Sequence, residues 1–134
     1  AFFVAQGCVK RMIAMGTKGS LIYIGRQMGH VGGLNRGLYC ASKWAIEGMN
    51  KSFALDLAPY GIRSNVIAPT FIETPMTKPF FEDKAFKASI LDKIKLGRIG
   101  AVEDLMGAAL FLATDASAFV TGTSLIVDGG WTAD

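Results

Sequence analysis

Three short apolar runs, far apart in the chain, constrain the fold more than any other feature. The runs cover residues 20–24, 62–68 and 124–127, and each has the β-prone composition of a buried strand. No hairpin turn joins any two of them, whereas parallel strands need a longer crossover, usually a helix. The pattern therefore predicts an α/β fold with about three parallel strands and helices on both faces of the sheet.

Helical spacing of apolar residues predicts the crossovers. The expected helices cover residues 1 to about 15, 38 to about 58, 83–94 and 102–113. Residues 25–37 are rich in glycine and are expected to form a long loop, and residues 70–82 a second one. Loops of this length in a compact domain are usually functional. We see no domain boundary, so the whole chain, 1–134, is predicted to be a single domain.

Composition limits the partners. Hydrophobic residues make up 51% of the 134 residues and charged residues 19%, which is apolar for a monomer and suggests burial against other subunits. The net charge of +3 comes from scattered lysines and arginines. A scattered charge is typical of a solvated surface, so no nucleic-acid partner is expected.

The cysteines and the termini bear on the cellular location. Cys8 and Cys40 lie in predicted helices with no metal-ligand spacing around them, so a reduced, cytoplasmic protein without a metal site is the simplest expectation. The opening apolar run is too short to span a membrane and lacks the features of a secretory signal. The first residue is Ala1 rather than Met, which suggests that an upstream segment is absent.

Tyr39 and Lys43 are the strongest candidates for chemistry. They lie four residues apart at the start of the longest predicted helix, so they share one helix face. An ammonium beside a phenol favours the phenolate form, which suits a tyrosine that transfers protons near neutral pH. By itself this spacing is also common by chance.

Several motifs in order raise that candidate above chance, because together they resemble the carboxyl-terminal half of the short-chain dehydrogenases/reductases. The likeness is to the sugar-acid dehydrogenases, such as the gluconate 5-dehydrogenases, and the 3-oxoacyl carrier-protein reductases of that family. The motifs are Tyr39-Cys40-Ala41-Ser42-Lys43, Gly61-Ile62-Arg63-Ser64-Asn65, residues 69–74, Gly97-Arg98, Phe111-Leu112-Ala113, Val120-Thr121-Gly122 and Val127-Asp128-Gly129-Gly130. The resemblance implies a partial Rossmann-like three-layer fold that holds the fifth to seventh strands of the family sheet.

The resemblance also implies the chemistry of the pair. In this family the tyrosine gives a proton to the substrate carbonyl as hydride arrives from the nicotinamide, or takes one from an alcohol in the reverse reaction. The lysine holds the nicotinamide ribose and favours the phenolate. Tyr39 and Lys43 would therefore be catalytic and would also contact NAD or NADP, acting on a small hydroxyl or carbonyl compound.

Four further residues would contact the cofactor if the resemblance holds. Pro69 and Ile72 would flank the nicotinamide, and Thr74 would approach the diphosphate. Thr70 stands where the family usually has glycine, a departure that could crowd the backbone.

Arg26 is a more serious departure. The family has a serine thirteen residues before the tyrosine, and Arg26 occupies that position here. That serine hydrogen-bonds the substrate oxygen, whereas a guanidinium is long and permanently charged. We expect Arg26 to fill much of the pocket, although it could still bond an anionic oxygen.

The 134 residues also lack the family's glycine-rich phosphate loop, its Asn-Asn-Ala-Gly motif and its catalytic asparagine. They would form a truncated domain without the amino-terminal dinucleotide-binding half, so only half of a cofactor site would remain, and this chain could bind no cofactor at all. Dehydrogenase activity is therefore expected to be impaired. The alternative is a non-catalytic or repurposed oligomeric half-domain that binds or acts on a different, anionic ligand.

Truncation would leave the edge of strand 21–24 open, and an open apolar edge invites pairing with another chain. We expect a homodimer or homotetramer that completes the fold, with the 21–24 strands of two copies forming one sheet. His30 is either a pocket contact or an ordinary loop residue, and Trp131 is expected at a subunit interface.

Overall fold

Helices and strands alternate through residues 1–133, which the computed structural model describes. The elements are α1 (Phe2–Ala14), β1 (Gly19–Ile24), α2 (Gly37–Leu57), β2 (Ile62–Pro69), α3 (Lys84–Leu91), α4 (Glu103–Ala113) and β3 (Ser124–Val127). The α/β alternation and all seven predicted segments are confirmed. The helix expected over 83–94 is shorter. It begins after Asp83, which caps it by accepting from the Ala85 and Phe86 N–H groups, and it ends at Leu91.

The three strands form one parallel sheet in the order β1, β2, β3. Gly19 lies opposite Ile62 in the first pair, and Pro69 lies opposite Val127 in the second. The central strand β2 is buried at nearly every position, as a parallel strand covered on both faces must be. The β1 strand forms an edge of this sheet, and its last residue, Ile24, is 60% exposed.

Helices cover both faces of the sheet, as predicted. On one face, Tyr23, Val66 and Ala68 pack with Ala5 of α1 and with apolar residues of α2. On the other face, the Leu112 carbonyl of α4 accepts a 2.7 Å hydrogen bond from the Ser20 hydroxyl. Side chains that alternate along each strand therefore face one helix layer and then the other. The carboxyl ends of the strands lie open between these two layers. None of the helices within residues 1–133 combines the length and the hydropathy that a membrane span requires.

Fully buried polar side chains join the layers. Asn65 donates from Nδ2 to the Val120 carbonyl at 2.9 Å and accepts from the Thr123 N–H at 3.2 Å. Asn50 of α2 donates to the Thr123 carbonyl at 3.0 Å and accepts from the Ser64 hydroxyl at 2.9 Å. These bonds hold the segment before β3 against β2 and α2 and satisfy polar groups that would otherwise be buried without partners.

A bidentate ion pair fixes the turn that enters α4. Arg98 donates from Nη1 and Nη2 to the two carboxylate oxygens of Asp104 at 2.6 and 2.8 Å, and the Ala101 N–H donates to the same carboxylate at 2.7 Å. The hydrogen bonds from Arg98, and to a smaller extent the one from Ala101, hold the pKa of Asp104 well below its usual range.

That shift predicts how stability responds to acid. The unfolded pKa of an aspartate is about 4, so the unfolded state binds more protons once the pH falls below about 5. The stabilisation from Asp104 should be present above that pH and be lost as the pH falls towards the lower folded value. Urea midpoints between pH 5 and pH 3 should therefore fall more steeply for the parent than for Asp104→Asn.

The matched control is Asp92→Asn, since Asp92 is an exposed carboxylate of the same type. That variant should keep the slope of the parent. Equal slopes for the parent and Asp104→Asn would contradict the assignment.

Candidate active site

The carboxyl ends of β1 and β2 meet the start of α2, and most of the predicted site residues lie there. The Gly25 N–H donates to the Ile67 carbonyl at 2.8 Å, which extends the contact between the two strands. A Cβ atom on Gly29 would lie 3.1 Å from the Lys43 carbonyl oxygen, closer than most such contacts. The glycine-rich loop can therefore pack directly on α2 next to Lys43 because it lacks side chains there.

Tyr39 and Lys43 lie together at the start of α2. Tyr39 is in the first turn and 40% exposed, and the Lys43 Nζ atom lies 5.6 Å from the centroid of the phenol ring. The Ser42 hydroxyl donates to the Tyr39 carbonyl at 2.7 Å. The phenol is thus open to a ligand and has an ammonium beside it, and its catalytic role stays a prediction.

Arg26 lies close to this pair but is anchored elsewhere. Its Nη1 donates to the Thr70 carbonyl at 2.8 Å, and its guanidinium carbon lies 4.4 Å from the centroid of Phe71. Its Nε is buried without a hydrogen-bond partner within residues 1–133. Burial lowers the pKa of Arg26, the nearby Tyr39 opposes that shift, and the positive charge of Arg36 adds to it. Arg26 therefore bridges β1 and β2 while staying within electrostatic range of Tyr39.

The expected cofactor residues follow β2. Pro69 is the last residue of that strand, and the Thr70 N–H donates to the Val127 carbonyl at 3.3 Å. Thr70 is almost fully buried, and its hydroxyl has no partner in the part of the chain that the structure describes. A buried hydroxyl without a bond is costly, so a ligand that reaches this group would gain a hydrogen bond.

Ile72 and Thr74 lie further along the same loop in a compact turn. Ile72 is buried and pairs with Gly100, where a Cβ atom would come within 2.5 Å of the Ile72 Cδ1 atom. The Thr77 hydroxyl donates to the Ile72 carbonyl at 2.6 Å and lies 3.0 Å from the Thr74 hydroxyl. The contacts within this turn are enough to hold Ile72 and Thr74 in place.

His30 is held by a cluster of side chains. Its Nε2 lies 3.2 Å from the Glu47 carboxylate of α2 and 3.0 Å from the Ser124 hydroxyl of β3. Ser124 also lies 3.2 Å from that carboxylate and can donate to it. His30 thus fastens the glycine-rich loop to α2 and β3.

Sequence reasoning missed a group of aromatic and cationic residues beside Arg26. Phe71 stacks at 5.9 Å from Trp131, and the Lys93 Nζ lies 5.3 Å from the centroid of Trp131. Trp131 is partly buried against Phe71, and its place at a subunit interface stays a prediction. In the sequence, Arg26 and Lys93 do not differ from scattered surface residues. Residue spacing predicts contacts within one element, and it does not connect segments that lie this far apart in the chain.

A family model described as "Enoyl-(Acyl carrier protein) reductase" matches residues 1–132. The chain belongs to the short-chain dehydrogenase/reductase family. This confirms the resemblance and the partial Rossmann-like fold that it implied. Among curated members of this family, 2-dehydro-3-deoxy-D-gluconate 5-dehydrogenase of Escherichia coli (strain K12) is 39% identical over 98% of this chain and 52% of its own length.

Solved structures of the short-chain dehydrogenase/reductase family agree. A gluconate 5-dehydrogenase from Burkholderia cenocepacia J2315, in complex with NADP and tartrate, superposes with a TM-score of 0.93 at 38% identity and is matched over 99% of this chain and 52% of its own. A 4-hydroxyisoleucine dehydrogenase complexed with NADH has a TM-score of 0.95 at 32% identity over 99% and 55%. The chain thus spans about half the length of the relatives it matches.

Proposed function

We propose that this chain supplies the proton-transfer half of an NAD(P)-dependent oxidoreductase that acts on a small hydroxyl or carbonyl compound. The observation that carries the proposal is the Tyr39 and Lys43 pair, which lies at the start of α2 beside the open carboxyl ends of parallel strands. In parallel α/β sheets, ligands bind at this end of the strands. The NADP and NADH bound by relatives support the cofactor class.

Tyr39 has the central role in the proposed reaction. Its phenol would give a proton to a substrate carbonyl oxygen, or take one from a substrate hydroxyl, as a general acid or base. The Lys43 ammonium lies 5.6 Å from the centroid of the ring, where its positive charge would stabilise negative charge that develops on the phenol oxygen as the proton moves. The nicotinamide, when bound, supplies or accepts the hydride.

The residues after β2 fit a cofactor on physical grounds. The Thr70 hydroxyl is buried without a partner among residues 1–133, and Ile72 and Thr74 are fixed in a rigid turn by Thr77. A polar cofactor could satisfy the hydroxyl, with Pro69 and Ile72 on the nicotinamide side and Thr74 towards the diphosphate. Both NAD and NADP are compatible with these residues.

Arg26 departs from the family pattern in this mechanism. Its Nη1 is bonded to the Thr70 carbonyl, so it would not replace the serine hydroxyl in shape or reach. We propose that it weakens turnover relative to a serine, while its charge favours an anionic oxygen near Tyr39.

A second candidate function is an oligomeric half-domain without dehydrogenase activity. The observation that favours it is the apolar surface of α2, where Leu38 is 92% and Leu55 is 78% exposed and Trp44 is half exposed. Exposed apolar patches of this kind mark interfaces. A homodimer or homotetramer could bury these residues, and two β1 edges could pair about a two-fold axis.

Titration with NADPH and NADH tests the first candidate. Nicotinamide fluorescence should change saturably on the purified protein that carries residues 1–134. Lys43→Ala should weaken binding about ten-fold or more, because a charged hydrogen bond to the ribose is lost. Lys51→Ala is the matched control, since Lys51 is an exposed lysine on the same helix.

Two results would overturn these assignments. No binding of either nucleotide at millimolar concentration would contradict the oxidoreductase proposal and leave the second candidate. Light scattering on the same sample gives the mass of the particle, and the mass of a single chain would contradict self-association.

A further inference from the structure

A column of two aromatic side chains with a cation at each end runs beside the candidate active site. Arg26 lies over Phe71 at 4.4 Å, Phe71 lies 5.9 Å from Trp131, and Lys93 lies over Trp131 at 5.3 Å. These residues follow β1, β2, β3 and α3, so four separate segments converge on one structure. Cations on aromatic faces are held in place by the ring quadrupole, and the column is therefore a fixed arrangement of positive charge.

A cavity of about 190 Å³ opens on this column. Arg36 and Lys93 line it together with Phe71, Phe86 and Trp131. Among residues 1–133, no aspartate or glutamate lines the cavity, and no ion pair is formed by Arg36 or Lys93. The volume is several times the share of a water molecule in the liquid, about 30 Å³, so the cavity suits a small molecule.

The charge of the cavity is unbalanced. Burial lowers the pKa of Arg26, and the positive charge of Arg36 adds to that shift, so a third cation lies within electrostatic range of Arg36. Arg36 and Lys93 are both exposed, so an anion from solvent can reach both charged groups. An arginine and a lysine at one small cavity can hold a carboxylate, the arginine through two parallel hydrogen bonds.

We propose that this cavity binds the carboxylate of a small hydroxy-acid or oxo-acid, with Arg36 and Lys93 as its cationic partners and Phe71 and Trp131 as its apolar wall. The inference rests on the proposed oxidoreductase function and names its substrate class. Arg26 supplies long-range positive charge from behind Phe71.

The position of Arg36 connects the cavity to the reacting end of the site. Arg36 directly precedes α2, and Tyr39 lies in the first turn of that helix. One helical turn advances by about 5.4 Å, so a ligand of a few carbon atoms whose carboxylate is held at Arg36 can extend its hydroxyl or carbonyl towards Tyr39. The anchor and the proton donor are thus spaced for a small acid.

The test uses Trp131 as the reporter. The chain has two tryptophans, so Trp44→Phe leaves Trp131 as the only source of tryptophan fluorescence. The probes are sodium D-gluconate and sodium tartrate, with D-glucitol as the neutral match of gluconate and sodium chloride as the ionic-strength match. We expect a saturable change with an acid, and none with D-glucitol or with sodium chloride.

Charge-removing variants in the Trp44→Phe background make the test specific. Arg36→Gln and Lys93→Gln should each weaken binding of the acid about ten-fold or more, because each removes a charge-assisted hydrogen bond. Lys51→Gln, which changes an exposed lysine on α2, should bind as tightly as its parent. Equal response to the acid and to D-glucitol, unchanged binding in both cavity variants, or no saturable response to either acid would overturn the proposal.

NADPH titration separates this inference from the proposed function. If NADPH binds and neither acid does, the carboxylate site is wrong and the oxidoreductase proposal stands. If neither acid nor either nucleotide binds, both are wrong. If an acid binds with the expected loss in the variants but no nucleotide does, the cavity is an anion site and the oxidoreductase proposal fails.

Discussion

Replacing Tyr39 by phenylalanine should lower turnover by about 10²- to 10⁴-fold, the usual contribution of a positioned general acid or base. The substitution removes the phenol oxygen and keeps the ring. The ring lies 5.6 Å from the Lys43 Nζ, so that contact and the start of α2 should persist. Turnover is measured from the absorbance of NADH or NADPH with a hydroxy-acid or oxo-acid, in the protein that carries residues 1–134.

Tyr60→Phe is the matched control, because Tyr60 is a half-exposed tyrosine in the turn after α2. It should keep the activity of its parent. NADPH affinity should fall much less than turnover in Tyr39→Phe, which distinguishes lost proton transfer from lost binding. An active Tyr39→Phe variant would refute the role of the phenol, and an inactive parent would favour the oligomeric half-domain.

The fold could be predicted from the sequence because its signals are local. The composition of residues 62–68 is typical of a buried parallel strand, and β2 is buried on both faces. Pro59 and Gly61 predict the end of the long helix, and Gly61 indeed adopts a left-handed conformation with φ of 66°. The predicted helix over 83–94 is too long at its end. The apolar spacing continues past Leu91, but Ile94 follows a turn and packs into the core.

The sequence predicts the site only where residues that lie close together in the chain form it. Tyr39 and Lys43 are paired by helix geometry, so their spacing was enough. The contact of Arg26 with Thr70 spans 44 positions, and it depends on the register of β1 against β2. Residue spacing carries no information about such a register until the strands are paired. For the same reason the Phe71, Trp131 and Lys93 group was not foreseen.

Leucine in place of Asn65 should destabilise the fold by about 1 to 3 kcal/mol. Leucine has nearly the same shape, but it leaves the Thr123 N–H and the Val120 carbonyl without the bonds that Asn65 makes. Arg63 Nη1 still donates to the Val120 carbonyl at 3.4 Å, so the main loss is at the Thr123 N–H, and a buried backbone group without a partner costs about 1 to 3 kcal/mol. Urea denaturation should show a lower midpoint with an unchanged slope.

Ser52→Leu is the control for adding an exposed leucine, since Ser52 lies on the outer face of α2, and it should stay within about 0.5 kcal/mol of the parent. Amide exchange at Thr123 gives a local readout, because its N–H donates to Asn65 Oδ1. Faster exchange there in Asn65→Leu would locate the loss before β3. An unchanged midpoint with unchanged exchange would mean that Asn50 and the backbone hold residues 120–123 without Asn65, since Asn50 still binds the Thr123 carbonyl.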